Sequence, residues 1–172
     1  MNNKKKHCKK GVPITVIAIA STVIIVAVAF LIPKNDGSFN LKSLNTYFQV
    51  RTFLRNVVNE KYEKAFESVY YYDSLPENGS SKSYEEAKKI WCDRLKDSKD
   101  ANLAEYMSGF DDLDVYLENN EVIAIFEVKV TVRGVDRQYR TQIKFHDGKI
   151  AGISCEEALT DFENTISGNL SI

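Results

Sequence analysis

The chain has 172 residues, of which 44% are hydrophobic and 27% charged, so it suits one folded domain with an extension and excludes low-complexity chains. Its net charge of −1 is unevenly distributed, because five of the 23 basic residues are lysines within the first ten positions, where no acid occurs. The rest of the chain carries 18 basic side chains against 24 acidic ones, and a surface this acidic repels phosphate backbones. Nucleic-acid binding by the main domain is therefore not expected.

An apolar run follows the N-terminal lysines. From Val12 to Ile32 the chain has 21 residues without a charge, and a helix of that length spans about 31 Å, the thickness of a bilayer's hydrocarbon core. We predict a transmembrane helix over residues 12–33, preceded by a basic segment (1–11) and followed by a linker (34–42). The lysines place the N-terminus in the cytoplasm and the rest of the chain outside, as a single-pass protein of the cell membrane.

A cleavable signal peptide is the alternative interpretation of this run. The small residues from Ala27 to Ala29 resemble a cleavage site. The apolar run continues through Phe30, Leu31 and Ile32, however, which favours an uncleaved anchor.

Beyond the linker, apolar residues recur at steps of three and four, a spacing that is typical of amphipathic helices. A long helix and a shorter one are predicted on either side of a joint at residues 59–61, and the shorter helix carries Tyr62, Phe66, Val69 and Tyr70. The polar stretch after the tyrosines predicts a loop. Ser83 then opens a capping box with Glu86, so a third helix is predicted there, with Tyr84, Ala87, Trp91 and Leu95 on its buried face.

From Leu113 onward the apolar period changes to two, which predicts β-strands. Four strands are expected, over residues 113–118, 121–133, 137–145 and 149–155, with turns at residues 119–120, 134–136 and 147–148. Helices followed by a four-stranded antiparallel meander with one apolar face predict an α+β domain over residues 43–155. Residues 156–172 are expected to form a C-terminal tail or a short helix.

Two segments resemble a known domain family. The stretch FLRNVVNEKYEKAFESV (53–69) is similar to the opening helices of nuclear transport factor 2-like, or cystatin-like, cone domains, and YRTQIKFHDGKIAGI (139–153) is similar to their closing strands. One departure is Ile150, where a tryptophan is common. The resemblance implies a cone-like fold in a bacterial membrane-anchored extracytoplasmic protein. It leaves the function open, because such domains serve in envelope proteins, secretion channels and isomerases alike.

Aromatic residues are the candidates for binding. Half-buried tyrosines favour interfaces because they bury apolar area while offering a hydroxyl. An interaction role is therefore weighed for Tyr70, Tyr71 and Tyr72 against packing at a helix end. A second set is weighed as the lining of a pocket, with core packing as its alternative: Trp91, Tyr106 and Tyr139.

The polar residues predict neither a catalytic nor a metal site. Asp111, Asp112 and Asp114 are expected to be solvated acids before a strand, and Glu127 lies on the face opposite the apolar one. His146 flanks the turn at residues 147–148 and is expected to be exposed. No zinc-ligand spacing, phosphate loop or catalytic Ser–His pattern occurs, so no cofactor is predicted.

Two of the three cysteines lie in the exported part of the chain. Cys92 and Cys155 either form a disulfide, which an oxidising compartment permits, or remain two small buried thiols. Their separation along the sequence does not decide between these alternatives.

Together these features predict a non-enzymatic, membrane-tethered extracytoplasmic domain at the bacterial cell envelope. It would bind a protein partner or a small ligand, or scaffold an assembly. The alternative is a cone-fold enzyme of the isomerase or dehydratase type, which needs a buried carboxylate beside a tyrosine hydroxyl. These two hypotheses differ in whether a carboxylate faces the interior.

Overall fold

The computed structural model describes residues 41–100, 105–157 and 159–172. The predicted basic segment, the transmembrane helix and most of the linker lie outside these residues. Among the residues that the structure describes, no helix combines the length and hydrophobicity that crossing a bilayer requires.

Helices come first and strands follow. Three helices, α1 (Leu41–Val58), α2 (Tyr62–Phe66) and α3 (Tyr84–Asp100), precede the sheet, and a short helix, α4 (Thr160–Ile166), comes after it. The strands form one antiparallel sheet in the order β1–β2–β3–β4. Their bounds are β1 (Glu105–Glu118), β2 (Glu121–Val132), β3 (Val135–His146) and β4 (Lys149–Cys155). The predicted α+β class with a four-stranded antiparallel meander is confirmed.

The helix boundaries follow from local chemistry. The capping box at the start of α3 is confirmed, because the Ser83 N–H donates to Glu86 Oε2 (3.0 Å) and the Glu86 N–H donates to Ser83 Oγ (3.4 Å). The joint between α1 and α2 lies at residues 59–61, where Glu60 has a positive φ of 58°. This left-handed residue ends the first helix and redirects the chain.

The second helix is shorter than predicted. It ends at Phe66, and Val69 instead forms a parallel bridge with Ile150 of β4. The Tyr70 N–H donates to Ile150 O (2.8 Å), and the Ile150 N–H donates to Ser68 O (2.9 Å). Pairing with the sheet edge supplies the backbone hydrogen bonds that a longer helix would have supplied, so tertiary structure overrides the helical spacing of these residues.

Strand β1 begins at Glu105, well before the predicted start at Leu113. Its register with β2 shifts between Met107 and Gly109 and again between Asp111 and Asp114. Each shift inserts a residue that breaks the alternation of apolar and polar side chains. The period of two was therefore visible only beyond the second shift.

The hairpin turns at residues 119–120 and 147–148 are confirmed, and φ is positive at both residues of each turn. The remaining turn, predicted over residues 134–136, is centred on Arg133 and Gly134, where φ is 51° and 78°. Two-residue turns with this geometry match the twist of the strands that they join.

The hydrophobic core lies between the helices and one face of the sheet. Trp91 is completely buried, and its ring lies 6.3 Å from that of Phe53 and 5.7 Å from that of Phe66. The sheet contributes alternate residues of β2 to the same core: Ala124, Phe126, Val128 and Val130.

The C-terminal residues belong to this folded unit. Phe162, Ile166 and Leu170 are buried in the same core. Helix α3 holds the end of α4 and the segment after it. Trp91 Nε1 donates to Ile166 O (3.2 Å), and Arg94 donates to the backbone carbonyls of residues 167 and 169. The predicted tail is thus a short helix followed by residues 167–172, here called the strap, which pack against α3.

Candidate functional site

The three consecutive tyrosines are half-buried and engaged within the chain. They lie in the extended segment after α2, so neighbouring rings point to opposite sides. Tyr70 donates its hydroxyl to Pro76 O (2.9 Å), and its ring lies 6.3 Å from that of Tyr72. Tyr71 points the other way and stacks on Phe66 at 5.6 Å. Each of the three rings therefore makes contacts within the chain while part of its surface stays exposed.

The residues predicted to line a pocket lie in separate places. Trp91 is in the centre of the core, and Tyr139 is buried on the inner face of β3, opposite Val128. Tyr106 is half-buried at the start of β1, where Lys99 Nζ lies 5.4 Å from the centre of its ring. None of the three lines the cleft described below.

The acidic candidates lie outside the core. Asp111 and Asp112 are exposed, Asp114 is half-buried, and Asp111 forms an ion pair with Lys129 at 2.5 Å. Glu127 is half-buried and lies opposite Arg140 in the register of β2 and β3. In the described part of the chain, no three His, Cys, Asp or Glu side chains converge as metal ligands.

Within the described residues, the buried polar or charged side chains are those of Thr131 and Thr141. Thr141 donates its hydroxyl to Tyr139 O (3.1 Å), so this group is satisfied locally. An isomerase-type mechanism needs a carboxylate in the interior, and the described core offers none.

His146 differs from the prediction in one respect. It flanks the turn at residues 147–148 as predicted, but its ring is half-buried, 4.4 Å from the ring of Tyr70. Its neighbour Asp147 lies 3.8 Å from His146 Nε2. The aromatic contact explains the burial, because the Tyr70 segment pairs with β4 beside this turn.

Both cysteines in the described residues are free thiols. Cys92 is buried on α3, and Cys155 is half-buried at the end of β4, with Sγ 3.4 Å from Thr141 Oγ1. Burial raises the pKa of each thiol above its ordinary value. Both groups therefore stay protonated and unreactive at neutral pH.

The sheet itself is divided at one end. The pairing of β2 with β3 stops at Ile125 and Gln142. Residues 121–124 of β2 continue to pair with β1, and residues 143–146 of β3 continue to pair with β4. Between these two half-sheets the strands diverge, and a cleft opens.

The cleft has a volume of about 530 Å³, room for roughly 18 water molecules. Helix α1 contributes Lys42 and Thr46 from the helical side, and the turns at either end contribute Asn120 and Gly148. The walls combine apolar and polar side chains of β2 and β3: Glu121, Val122, Ile123, Gln142, Ile143, Lys144 and Phe145. Such a mixture suits a ligand that has both apolar and hydrogen-bonding groups.

One contact and one register shift lie where the strands separate. Gln49 Nε2 on α1 donates to Gly148 O (3.0 Å), which ties the β3–β4 turn to the helix. The β3–β4 pairing also shifts between Lys144 and Phe145, where β4 holds the extra residue Ala151, and such a bulge bends β4 and increases the local twist. The β3–β4 turn is therefore held against α1, while the start of β2 stays paired with β1.

The sequence does not reveal this cleft. Its walls read as ordinary alternating strands, and only the point at which pairing stops distinguishes them. The bulge leaves a weak signal in the sequence, because the apolar residues Ile150, Ala151 and Ile153 do not alternate regularly with polar ones.

The chain matches no protein-family model, and neither curated proteins nor solved structures show a significant match to it.

Proposed function

We propose that the chain is a membrane-tethered extracytoplasmic domain without enzymatic activity, which binds a protein partner or a small ligand at the bacterial cell envelope. The cleft between β2 and β3 is its binding site. Kinship with the nuclear transport factor 2-like domains is part of the same proposal.

The cleft is the observation that carries this proposal. It is open and lined by mixed side chains, whereas the interior between helices and sheet is filled by apolar groups. A cone-fold enzyme would use that interior for its substrate. The described core instead provides packing, which favours recognition at the cleft over chemistry inside.

The tether is supported by the sequence. The uncharged run from Val12 to Ile32 and the lysines before it have the length and charge of a cytoplasmic-side anchor. Anchoring raises the effective concentration of the domain at the membrane and so strengthens a weak interface.

Site-specific photo-crosslinking in intact cells tests the binding site. Benzoylphenylalanine is placed at Gln142, which lines the cleft, and at Gln138, an exposed residue on the same face of β3 outside it. The proposal expects a discrete adduct from position 142 that is absent from position 138. Identical adducts from both positions, or none from position 142, would count against the cleft.

Protease accessibility tests the tether. Protease added to intact protoplasts is expected to degrade residues 41–172, while the same protein is retained in the membrane fraction before digestion. Full protection of the domain, or its recovery in the soluble fraction, would contradict the proposed topology.

A further inference from the structure

We propose that the cleft accepts an extended peptide segment of a partner protein, which adds to the sheet as a short strand. This inference rests on the proposed function and names the chemistry of its partner. Three features carry it: the orientation of backbone groups in β2, their orientation in β3, and the dimensions of the cleft.

Val122 presents its backbone N–H and C=O to the cleft. The β1–β2 turn has two residues with positive φ, and in such a turn the flanking pair, Glu118 and Glu121, exchanges hydrogen bonds. Backbone groups alternate between the two sides of a strand. Those of Val122 therefore point away from β1, toward β3.

Phe145 presents its backbone groups to the cleft from the other wall. The β3–β4 turn is of the same type, so its flanking pair, His146 and Lys149, is hydrogen-bonded and Phe145 points away from β4. Ile150, which lies opposite Phe145, confirms this alternation. Its N–H and C=O bond to Ser68 and residue 70 on its other side.

The register of β2 and β3 also indicates that Val122 and Phe145 face each other across the cleft. If the ladder did not stop at Ile125 and Gln142, Val122 and Phe145 would be partners in it. Within the described residues these two strand edges have no strand partner across the cleft. Open edges of this kind bind extended chains by main-chain hydrogen bonds.

The length of the open strand edges and the lining of the cleft suit a short peptide. Four residues of strand span about 13 Å, so residues 121–124 and 143–146 can flank a segment of about three or four residues. Alternate side chains of that segment would meet Ile143 on one face and Ile123 on the other. Lys42 and Lys144 line the cleft with one acid, Glu121, which favours a neutral or acidic segment.

Peptide selection on the full chain in nanodiscs tests this inference, with a random heptapeptide phage library as the probe. Thr46→Trp fills the cleft, and Thr52→Trp, at an exposed position of the same helix, is its matched control. Gln142→Trp and Gln138→Trp form a second pair at exposed positions, where folding is not at risk. Selected peptides are expected to bind wild type and both controls, and to lose about tenfold in affinity on both cleft variants.

N-methylation of the selected peptides then tests the strand geometry. Methylation of each backbone amide that lies within the cleft is expected to lower affinity about tenfold, because a strand held between β2 and β3 directs alternate N–H groups to each of its two neighbours, while amides at the ends of the peptide tolerate methylation. Equal binding to the cleft variants, tolerance at every amide, or no enriched peptide would each overturn the inference. If benzoylphenylalanine at position 142 still forms its photo-crosslinked adduct in that case, the proposed function stands with another class of ligand. If no such adduct forms, the proposed function and the peptide inference both fail.

Discussion

Gly168 is the position where the smallest substitution should have the largest effect. A Cβ added there would lie 1.9 Å from Tyr70 O, whereas a carbon–oxygen contact needs about 3.3 Å, so the strap must move by more than about 1 Å. That movement breaks three backbone hydrogen bonds. The N–H of residue 72 donates to Gly168 O, the Leu170 N–H donates to the carbonyl of residue 72, and the Gly168 N–H donates to Ala151 O. At about 1 kcal/mol each, with partial exposure of Leu170, Gly168→Ala should lower the free energy of unfolding by about 4 kcal/mol.

Urea unfolding in detergent measures this effect through the fluorescence of Trp91, which donates to the carbonyl of Ile166 just before the strap. Gly152→Ala is the matched control, because its Cβ would meet Ser167 at an ordinary 3.7 Å. That substitution should leave stability unchanged or raise it by up to about 1 kcal/mol. A Gly168→Ala variant whose free energy of unfolding lies within about 1 kcal/mol of the wild-type value would contradict this prediction.

Three further predictions concern other parts of the domain. Arg94→Met removes the two bonds from α3 to the strap and should lower the free energy of urea unfolding by about 2 kcal/mol, while the exposed Arg137→Met should change it little. In a Cys8→Ser variant, which leaves Cys92 and Cys155 as the thiols to be labelled, maleimide should react slowly with the native protein. The amount of label should be the same with and without reductant, and more label after reduction would reveal a disulfide. Hydrogen bonds from the serine-rich loop that follows Asp73 hold the pKa of its carboxyl well below the ordinary value. The ionised carboxyl should therefore keep this loop resistant to protease above the ordinary pKa of an aspartate. The resistance should be lost as the pH falls from there toward the lowered pKa. Limited proteolysis of Asp73→Asn should show cleavage in the loop already at neutral pH, and an uncut loop would contradict this.

Local chemistry made much of the fold predictable. The capping box of Ser83 and Glu86 needs only neighbours in sequence, and so do the two-residue turns, because asparagine and glycine accept positive φ at little cost. The period of two in β2 likewise identified its buried face. Each of these signals acts over a few residues, so the sequence displays it directly.

Features that depend on distant residues were not predictable in the same way. Tyr70 stands at helical spacing but joins the edge of β4, and the strap depends on Arg94 reaching carbonyls more than seventy positions away. The cleft depends on where the β2–β3 ladder stops, which Gln49 helps to set through its bond to Gly148. Such choices arise from competition between long-range contacts, and a single sequence does not display that competition.

A tether and a short open edge complement each other energetically. A segment of three or four residues paired in the cleft makes about four main-chain hydrogen bonds at about 1 kcal/mol each, while ordering its backbone costs about 1–2 kcal/mol per residue. Side-chain contacts with Ile123 and Phe145 must supply the surplus, so the free segment would bind weakly. Held at the same membrane as its partner, the domain gains an effective concentration that solution binding lacks. Under the proposed function, recognition therefore depends on the anchor as much as on the cleft, and cleavage between them should abolish it while leaving the fold intact.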